Sequence, residues 1–360
     1  MNVDRRQVLA YRVAAQQLDR TALPPSELAV LDLGVQDTPY GSARQAVSAR
    51  TSADPEDSAL TLVWSTRGAP HLHRTSDLPA LAAALWPVSD ADATARIATA
   101  QIKEGAKLGL AAFRSAAKAM HDVVIQPMSK GEVSKAVSAQ IPECLTYWCR
   151  GCSAQHISGA LFQQVGLAAG VRLTPQGSAT TLAPATHRPA VPTRSVAPES
   201  VVRAYLTLLG PATPAEAAKF LGTTLTEVKR MWPKDLAEIR IDGRKAWLPA
   251  ERVPALREAP SPRLLRLLPP SDPYLQARDR TLLVPEKARQ SEIWRILGNP
   301  GAVLLNGEIA GTWRAKMAGK NVLDLTVTAF EPLPRPALEA EADRVGRVRG
   351  ARATRVLEAT

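Results

Sequence analysis

The sequence predicts a mainly α-helical protein with small β-hairpins, an α+β fold. Three observations support this class. The 360 residues are 45% hydrophobic, which is ordinary for a globular chain. Aromatic residues make up only 4%, and so few aromatics favour helical layers over an all-β sandwich. Apolar residues recur at helical spacing, and short alternating stretches with glycine turns separate these segments. At roughly 100–150 residues per module, the length suggests two to four modules.

Helices precede a basic hairpin in the N-terminal quarter of the chain. Apolar spacing predicts a helix over 5–20, and a second helix begins at Ser42, a plausible N-cap. Residues 59–74 read as two short strands around a Gly-Ala-Pro turn, and 76–86 return to helix. Helices followed by a hairpin is the element order of a winged helix.

The same order repeats in the next hundred residues. Ser129 and Glu132 have the spacing of a capping box, in which each side chain binds the other residue's backbone N–H. The predicted elements are helices over 105–120, 129–141 and 154–170 and short strands at 171–173 and 180–182.

A third unit carries the strongest local signals. Thr213 and Glu216 form a predicted capping box around Pro214 at the first helical position. A second Thr–Glu pair starts the next helix, and Asp-Gly at 242–243 is the two-residue turn of a hairpin. The predicted elements are helices over 199–210, 213–222 and 224–232 and a hairpin over 236–250. Three helices and a hairpin predict a winged helix-turn-helix.

The remaining segments are a linker and a C-terminal sheet. Residues 174–199 are rich in Pro, Thr and Ala, as linkers are. Residues 302–330 alternate like strands and predict a small antiparallel sheet or barrel. Asp272, Arg278 and Asp279 are expected to brace it against the third winged helix. The predicted domains are winged helix 1 (1–88), winged helix 2 (89–174), the linker (175–198), winged helix 3 (199–260), a β-barrel-like domain (261–334) and a C-terminal helix or tail (335–360).

The charge balance favours a polyanionic partner. There are 45 Lys and Arg against 34 Asp and Glu, a net charge of +11, and binding to phosphates releases condensed counterions. The N-terminus lacks the apolar core of a signal peptide, and no uncharged run reaches the ~18–20 residues of a membrane helix. We therefore expect a cytoplasmic, nucleoid-associated protein. A phosphate-binding loop ending in Lys-Ser or Lys-Thr is not found, which argues against a helicase or polymerase.

Five sequence motifs, taken in order, identify a family. The chain resembles the AlkZ/YcaQ-type crosslink-repair DNA glycosylases over nearly its whole length. The motifs are LGVQDTP (33–39), RGAPHLHR (67–74), GPATPAEAAKFLG (210–222), SDPYLQARDR (271–280) and GNPGAVLLNGEIAGTWR (298–314).

The resemblance implies a fold and an activity. It implies three tandem winged helices in a C shape around duplex DNA, plus a β-barrel-like domain. It also implies monofunctional hydrolysis of the N-glycosidic bond of bulky alkylated or crosslinked purines, by a monomer that requires no cofactor for catalysis. The alternative is a non-catalytic winged-helix DNA-binding protein that regulates or protects DNA.

The catalytic motif that the family implies is Gln, an apolar residue, then Gln or Asp. Here the first position falls on Gln36 and the third on Thr38, with Asp37 at the apolar position. Cleavage passes through an oxocarbenium-like sugar, so Gln36 is expected to orient a water that Asp37 or Thr38 polarises. In an extended segment, however, Gln36 and Thr38 face one side and Asp37 the other. Alternatively, Asp37 caps a turn before Pro39.

Basic residues near this motif are candidates for DNA contacts. Arg67, His71, His73 and Arg74 cluster on the hairpin, where family members carry a similar element against the duplex. Arg44 and Arg50 follow the motif on its helix. Such side chains normally contact phosphates and so position the protein without reading sequence. The alternative is a solvated basic loop.

The three cysteines lie within nine residues and a histidine follows them. Cys144, Cys149, Cys152 and His156 have the spacing C-x4-C-x2-C-x3-H, and four such ligands suit a tetrahedral structural zinc ion. Two alternatives remain open. In the first, these residues come together only through packing, since free cysteine is a common core residue. In the second, Cys149 and Cys152 form a redox pair, although a cytosolic compartment disfavours a stable disulfide.

Overall fold

A computed structural model describes residues 1–176, 179–186 and 188–358. The protein mixes helices and sheets, an α+β fold, and the chain forms two compact units. The first unit comprises Met1–Asp57, Ala204–Glu216 and the chain from Lys234 onward. The second unit comprises Ser58–Arg203 and Ala217–Pro233. In the described part of the chain, no helix is long and apolar enough to cross a membrane.

The α-helices of the described chain are short, and most run for fewer than twelve residues. In chain order they are α1 Arg5–Ala15, α2 Ser42–Ser48, α3 Leu78–Leu85, α4 Asp90–Ile97, α5 Leu110–Val123, α6 Lys130–Ser138, α7 Gly159–Gln164, α8 Glu199–Leu209, α9 Pro214–Leu221, α10 Leu225–Arg230, α11 Val253–Glu258, α12 Arg280–Leu283, α13 Lys287–Ile293 and α14 Arg335–Val348.

The strands form small sheets. In chain order they are β1 Asn2–Val3, β2 Val35–Gln36, β3 Leu60–Trp64, β4 Pro70–Arg74, β5 Met128–Ser129, β6 Thr146–Cys149, β7 Ala154–Ile157, β8 Val171–Gln176, β9 Ala179–Pro184, β10 Leu236–Ile241, β11 Arg244–Pro249, β12 Leu265–Leu268, β13 Gly301–Leu305, β14 Glu308–Ala318, β15 Val322–Ala329 and β16 Ala353–Glu358.

The second unit packs its helices around an apolar core. Trp86 and Phe113 meet edge to face with ring centroids 5.9 Å apart, and Trp64 lies 5.4 Å from Phe162. Strands β8 and β9 are antiparallel, and β5 pairs with β9 on the other side. Strands β3 and β4 form an antiparallel hairpin, and β6 and β7 form another. These hairpins carry several of the candidate site residues.

The first unit contains the largest sheet, with the strand order β12-β13-β14-β15-β16. Its neighbours are antiparallel except for β15 and β16, which are parallel. Helix α14 buries Leu338, Ala342 and Val345 against this sheet. Trp313 fills the sheet's core and donates from Nε1 to the Leu268 carbonyl at 2.9 Å.

Several elements predicted from local chemistry are confirmed. The hairpin over 59–74 is β3 and β4. The Ser129–Glu132 and Thr213–Glu216 capping boxes both form. The Asp-Gly turn at 242–243 joins β10 to β11, and both residues take positive φ, as a two-residue hairpin turn of this type requires.

The helix predicted over 154–170 is wrong. Residues 154–157 are strand β7, paired with β6, and the helix α7 occupies only Gly159–Gln164. The apolar pattern at 154–157 covers so few residues that it fits either a helix or a strand. Pairing with β6 makes this segment a strand. The predicted linker also begins differently, because β9 continues to Pro184 with Leu182 buried. Residues 177, 178 and 187 of that segment lie outside the described residues.

The C-terminal region is not a closed barrel in the described part of the chain. Strands β12 and β16 are the two edges of an open sheet. The predicted C-terminal helix is α14, but the helix or tail predicted over 335–360 also contains a strand, β16. Strand β16 pairs with β15 through six residues, which gives partners to the backbone groups on that side of the strand. Residues 359 and 360 of this tail lie outside the described residues.

Candidate functional site

The LGVQDTP motif is an extended segment that leads into helix α2. Val35 is fully buried in β2, and Asp37 is 8% exposed. The Asp37 carboxylate turns inward and accepts a hydrogen bond from the Ala43 backbone N–H at 2.9 Å. It thereby satisfies one of the first N–H groups of α2, which no carbonyl within the helix can reach. Burial raises the pKa of Asp37, and the backbone hydrogen bonds from Ala43, Gly41 and Ser42 oppose that rise.

Gln36 and Thr38 occupy the less buried positions of this segment. Gln36 is half-buried and Thr38 is exposed. The alternation expected for an extended chain therefore holds: the two flanking residues are more accessible, and Asp37 belongs to the interior. The geometry gives Asp37 a capping role, although its partner is the start of α2 and not a turn at Pro39. The catalytic assignment of Gln36 and Thr38 stays a prediction.

Tyr40 is a candidate that the sequence analysis missed. Its side chain is 66% exposed in the loop between the motif and α2. The next residue, Gly41, has a φ of +87°, a conformation that favours glycine and lets the chain turn into the helix. An aromatic residue between Pro39 and Gly41 in an otherwise polar loop was the available signal. Exposed aromatic side chains in such loops can stack on bases.

The two arginines after the motif differ completely in environment. Arg44 is exposed and pairs with Glu56 at 2.9 Å. Arg50 is fully buried and makes a bidentate ion pair with Asp272. The expectation that Arg50 faces a phosphate is therefore wrong, because its charge is already neutralised inside the first unit. Arg44 remains a candidate for phosphate contact.

The two histidines of the β3–β4 hairpin are interior residues. His71 is 3% exposed and His73 is 1% exposed. His71 Nδ1 lies 2.9 Å from the Ala69 carbonyl, and His73 Nε2 lies 2.9 Å from the Ser65 hydroxyl. Burial, with His73 and Arg67 as further contributors, lowers the pKa of His71 to about 3. Direct contact of these histidines with DNA is not supported, and they hold the hairpin in place.

The two arginines of this hairpin, one in its turn and one at the end of β4, are partly accessible. Arg67 lies in the turn with a φ of +60°, and its guanidinium donates to the Phe220 carbonyl. The same guanidinium lies 5.2 Å from the centroid of the Phe220 ring, so it stacks on that ring while remaining half-buried. Arg74 ends β4, is half-buried, and pairs with Asp77 at 3.2 Å. Arg74 is thus the more available of the two for a phosphate.

A cysteine–histidine cluster lies on the β6–β7 hairpin. The ligand atoms of Cys149, Cys152 and His156 all lie within 4.8 Å of one another. Cys144 lies on a separate turn, Glu143–Leu145, and is not part of this cluster, so the predicted four-residue set is reduced to three. The sequence predicted His156 in the first turn of a helix over 154–170. In the structure His156 lies on strand β7.

The fold and these segments define the class: an α+β protein of short helices and small sheets, which carries a polar extended segment in its first unit and a basic hairpin in its second. The family profile described as DNA glycosylase AlkZ-like matches residues 12–348. The chain belongs to the AlkZ-like DNA glycosylase family, and the resemblance drawn from the five motifs is confirmed.

Two similar proteins come from Streptomyces sahachiroi. An interstrand DNA cross-link repair glycosylase is 31% identical over 175 residues, which are 44% of this chain and 45% of that protein. The alignment thus spans less than half of that curated relative. The solved structure of the DNA glycosylase AlkZ matches with a TM-score of 0.76 and 22% identity, over 100% of both chains. This second similarity establishes a shared fold.

Proposed function

We propose that this protein is a monofunctional DNA glycosylase that hydrolyses the N-glycosidic bond of alkylated purines, bulky or crosslinked, in duplex DNA. Membership of the AlkZ-like family gives the reaction class. The observation that carries the proposal within the chain is the Gln36–Thr38 segment. Its inward carboxylate is anchored to α2, so the amide of Gln36 sits on a fixed backbone. The curated relative is a cross-link repair glycosylase, which supports a bulky substrate.

The chemistry needs little from the protein beyond placement. An N-alkylated purine is already cationic, so it departs with little or no proton donation. The sugar becomes oxocarbenium-like and is attacked by water. The amide oxygen of Gln36 would accept a hydrogen bond from that water, and the Thr38 hydroxyl would hold it from the same side. Asp37 takes no part, because its carboxylate is bound to the Ala43 N–H.

The DNA-binding scaffold we propose is three winged helices. The second unit supports this for residues 89–174 and the strand that follows. Helices α5 and α6, with strand β5 between them, precede α7 and the β8–β9 hairpin, and β5 pairs with β9. Apart from the β6–β7 hairpin inserted between α6 and α7, the order of helix, strand, helix, helix and hairpin with this pairing is that of a winged helix. Arg44 and Arg74 would supply phosphate contacts, and the exposed ring of Tyr40 would contact a base.

The biological setting follows from the proposed substrate. A glycosylase that acts on duplex DNA must reach that DNA, so we propose that the protein acts at the nucleoid in the cytoplasm. We also propose that it acts as a monomer.

One observation favours a second candidate. The third position of the catalytic motif is Thr38, where the family pattern implied by the resemblance has Gln or Asp, and the adjacent carboxylate of Asp37 is turned away. A protein with a weakened motif could bind DNA without cutting it. The alternative function is therefore a non-catalytic DNA-binding protein that regulates or protects DNA.

Base release from damaged duplex separates the two functions. The protein is incubated with duplex carrying 7-methylguanine or a nitrogen mustard adduct, and alkali then breaks the strand at abasic sites. We expect strand breaks with the native chain and roughly a 10²–10³-fold lower rate with Gln36→Ala. The matched control is Gln101→Ala, an exposed glutamine outside the site. Tight binding without base release would support the non-catalytic alternative, and full activity of Gln36→Ala would remove Gln36 from the mechanism.

A further inference from the structure

The β6–β7 hairpin brings three metal-ligand side chains to one face. Tyr147 is directly opposite His156, and Cys149 is opposite Ala154. Directly opposed residues share a face of the sheet, as do residues two apart on one strand. Cys149 and His156 are therefore diagonal neighbours on the same face. The four-residue turn between the strands returns Cys152 to them, with Ser153 at a φ of +47°.

The three ligand atoms are near the separation that a metal requires. They lie within 4.8 Å of one another. Zinc–sulfur bonds of about 2.3 Å and zinc–nitrogen bonds of about 2.0 Å place tetrahedral ligands roughly 3.5–3.8 Å apart. The remaining difference, of about 1 Å, is within the range of a side-chain rotation at the half-buried Cys149 and the exposed Cys152.

The two ring nitrogens of His156 differ in their hydrogen-bond partners. Its Nδ1 lies 3.1 Å from the hydroxyl of Ser134 on α6. Its Nε2 is buried and has no hydrogen-bond partner among the described residues. A buried polar atom without a partner is costly, and a metal ion would give this nitrogen its partner. A hydrogen bond from the second ring nitrogen commonly fixes the ring of a ligating histidine.

The tip of this hairpin buries little apolar surface among the described residues. Its base is anchored, since Leu145 and Ile157 are buried in the core of the second unit. At the tip, Trp148 is 60% exposed and Cys152 is exposed. A hairpin of two strands is marginal in water unless something else holds it together. The tip thus carries a donor set and little apolar burial.

We propose that Cys149, Cys152 and His156 bind one zinc ion, with water as the fourth ligand. Two thiolates and an imidazole are the donors that zinc prefers, and a cross-link between turn and strand would order the tip. The site lies between α6 and α7, in an insertion of the second unit. The zinc ion would stabilise that unit, and its role is independent of the proposed base excision.

Metal content and spectroscopy test the proposal on the full-length chain. The protein is purified in a thiol reductant without an affinity tag, and zinc is measured by mass spectrometry. We expect one equivalent in the native chain and loss of it in Cys149→Ser, Cys152→Ser and His156→Ala. Cobalt substitution should give the visible bands of a tetrahedral site with a sulfur-to-metal charge-transfer band. X-ray absorption of the native zinc protein should show two sulfur neighbours and two nitrogen or oxygen neighbours, from His156 and the water.

Cys144→Ser is the matched control, because Cys144 is an exposed cysteine five residues away that lies outside the cluster. It should retain the full equivalent. With zinc bound, a thiol reagent should react rapidly with Cys144 alone, and chelation should release the other two thiols. Absence of bound zinc after incubation with zinc salt would overturn the proposal. So would equal zinc loss in Cys144→Ser, or a Cys149–Cys152 disulfide that persists in reductant.

Discussion

Arg50 and Asp272 form a bidentate ion pair in which neither side chain is exposed to solvent. The two hydrogen bonds measure 2.7 and 2.8 Å. Arg50 also donates to the Ala46 carbonyl and to the Gln16 side chain. The pair ties the end of α2 to the segment that follows β12 within the first unit. A buried pair is weak evidence of net stabilisation, but loss of one partner leaves a charge without compensation.

Removal of Asp272 should therefore be severely destabilising. We expect Asp272→Ala to lower the free energy of unfolding by about 3–5 kcal/mol, because the buried Arg50 guanidinium loses its counter-charge. Urea denaturation followed by circular dichroism measures this. The control is Glu56→Ala, which removes the exposed partner of Arg44 and should change the free energy by less than about 1 kcal/mol. Equal effects of the two substitutions would contradict the assigned role of Arg50.

Asp37 should affect stability more than chemistry. Asp37→Ala removes the acceptor for the Ala43 N–H at the start of α2, and loss of such a cap costs about 0.5–2 kcal/mol. Asp37→Asn keeps an acceptor oxygen and should cost less. Chemical denaturation gives the stabilities, and the base-release assay on folded protein gives the activity. If Asp37→Asn folds normally yet loses base release as fully as Gln36→Ala, the carboxylate acts in catalysis after all.

Protonation of His71 should make the fold sensitive to acid. Its folded pKa of about 3 lies below the ordinary value near 6.5, since burial disfavours the charged ring. Between these values the unfolded chain binds a proton that the folded chain does not, so stability falls as pH drops from 6.5 towards 3. The slope is at most about 1.4 kcal/mol per pH unit from this group.

His71→Gln, which keeps a donor for the Ala69 carbonyl, should flatten that dependence. Unfolding free energies measured from pH 7.5 down to 4.5 provide the comparison with the native chain. Identical slopes in the two proteins would mean that His71 is not buried in its neutral form.

Arg44 and Arg74 should contribute to DNA affinity through phosphates. Each contact releases counterions, so Arg44→Ala and Arg74→Ala should each reduce the slope of log affinity against log salt by about 0.9. The loss should be similar for different duplex sequences, because phosphate contacts carry no sequence information. Fluorescence anisotropy over a salt series measures both effects.

Arg335→Ala serves as the control for this series. Arg335 is an exposed arginine of α14 that pairs with Glu339, and no signal in its sequence assigns it to DNA. A slope reduced equally in this variant would show a general charge effect instead of a specific contact.

Local chemistry made much of the secondary structure predictable. Capping boxes such as Ser129–Glu132 and the Asp-Gly turn at 242–243 involve residues within a few positions of one another, so their free energies depend on the nearby chain alone. The five motifs also lie within short segments, and the family that they indicated is confirmed although identity to the solved AlkZ structure is only 22%.

Reasoning from local sequence failed where a strand depends on a distant pairing partner. Residues 154–157 became a strand because β6 was there to pair with them, and 353–358 became an edge strand beside β15. The periodicity of each segment carries no information about its partner strand. The helix predicted over 154–170 was therefore wrong, and strand β16 was not predicted.

Composition, spacing and local turns therefore determined the α+β class and the order of most elements. The resemblance carried by the five motifs gave the family, and with it the short list of polar candidates. Tertiary structure decided what each candidate can do. Arg44 and Arg50 have the same side chain six residues apart, but Asp272, 222 residues along the chain from Arg50, neutralises only the second. Asp37 and Gln36 are neighbours, and only the fold turns the carboxylate inward to α2. Burial and ion pairing depend on which groups, distant in sequence, pack against a side chain. These contacts decide whether the side chain can reach a ligand and whether its charge is already compensated.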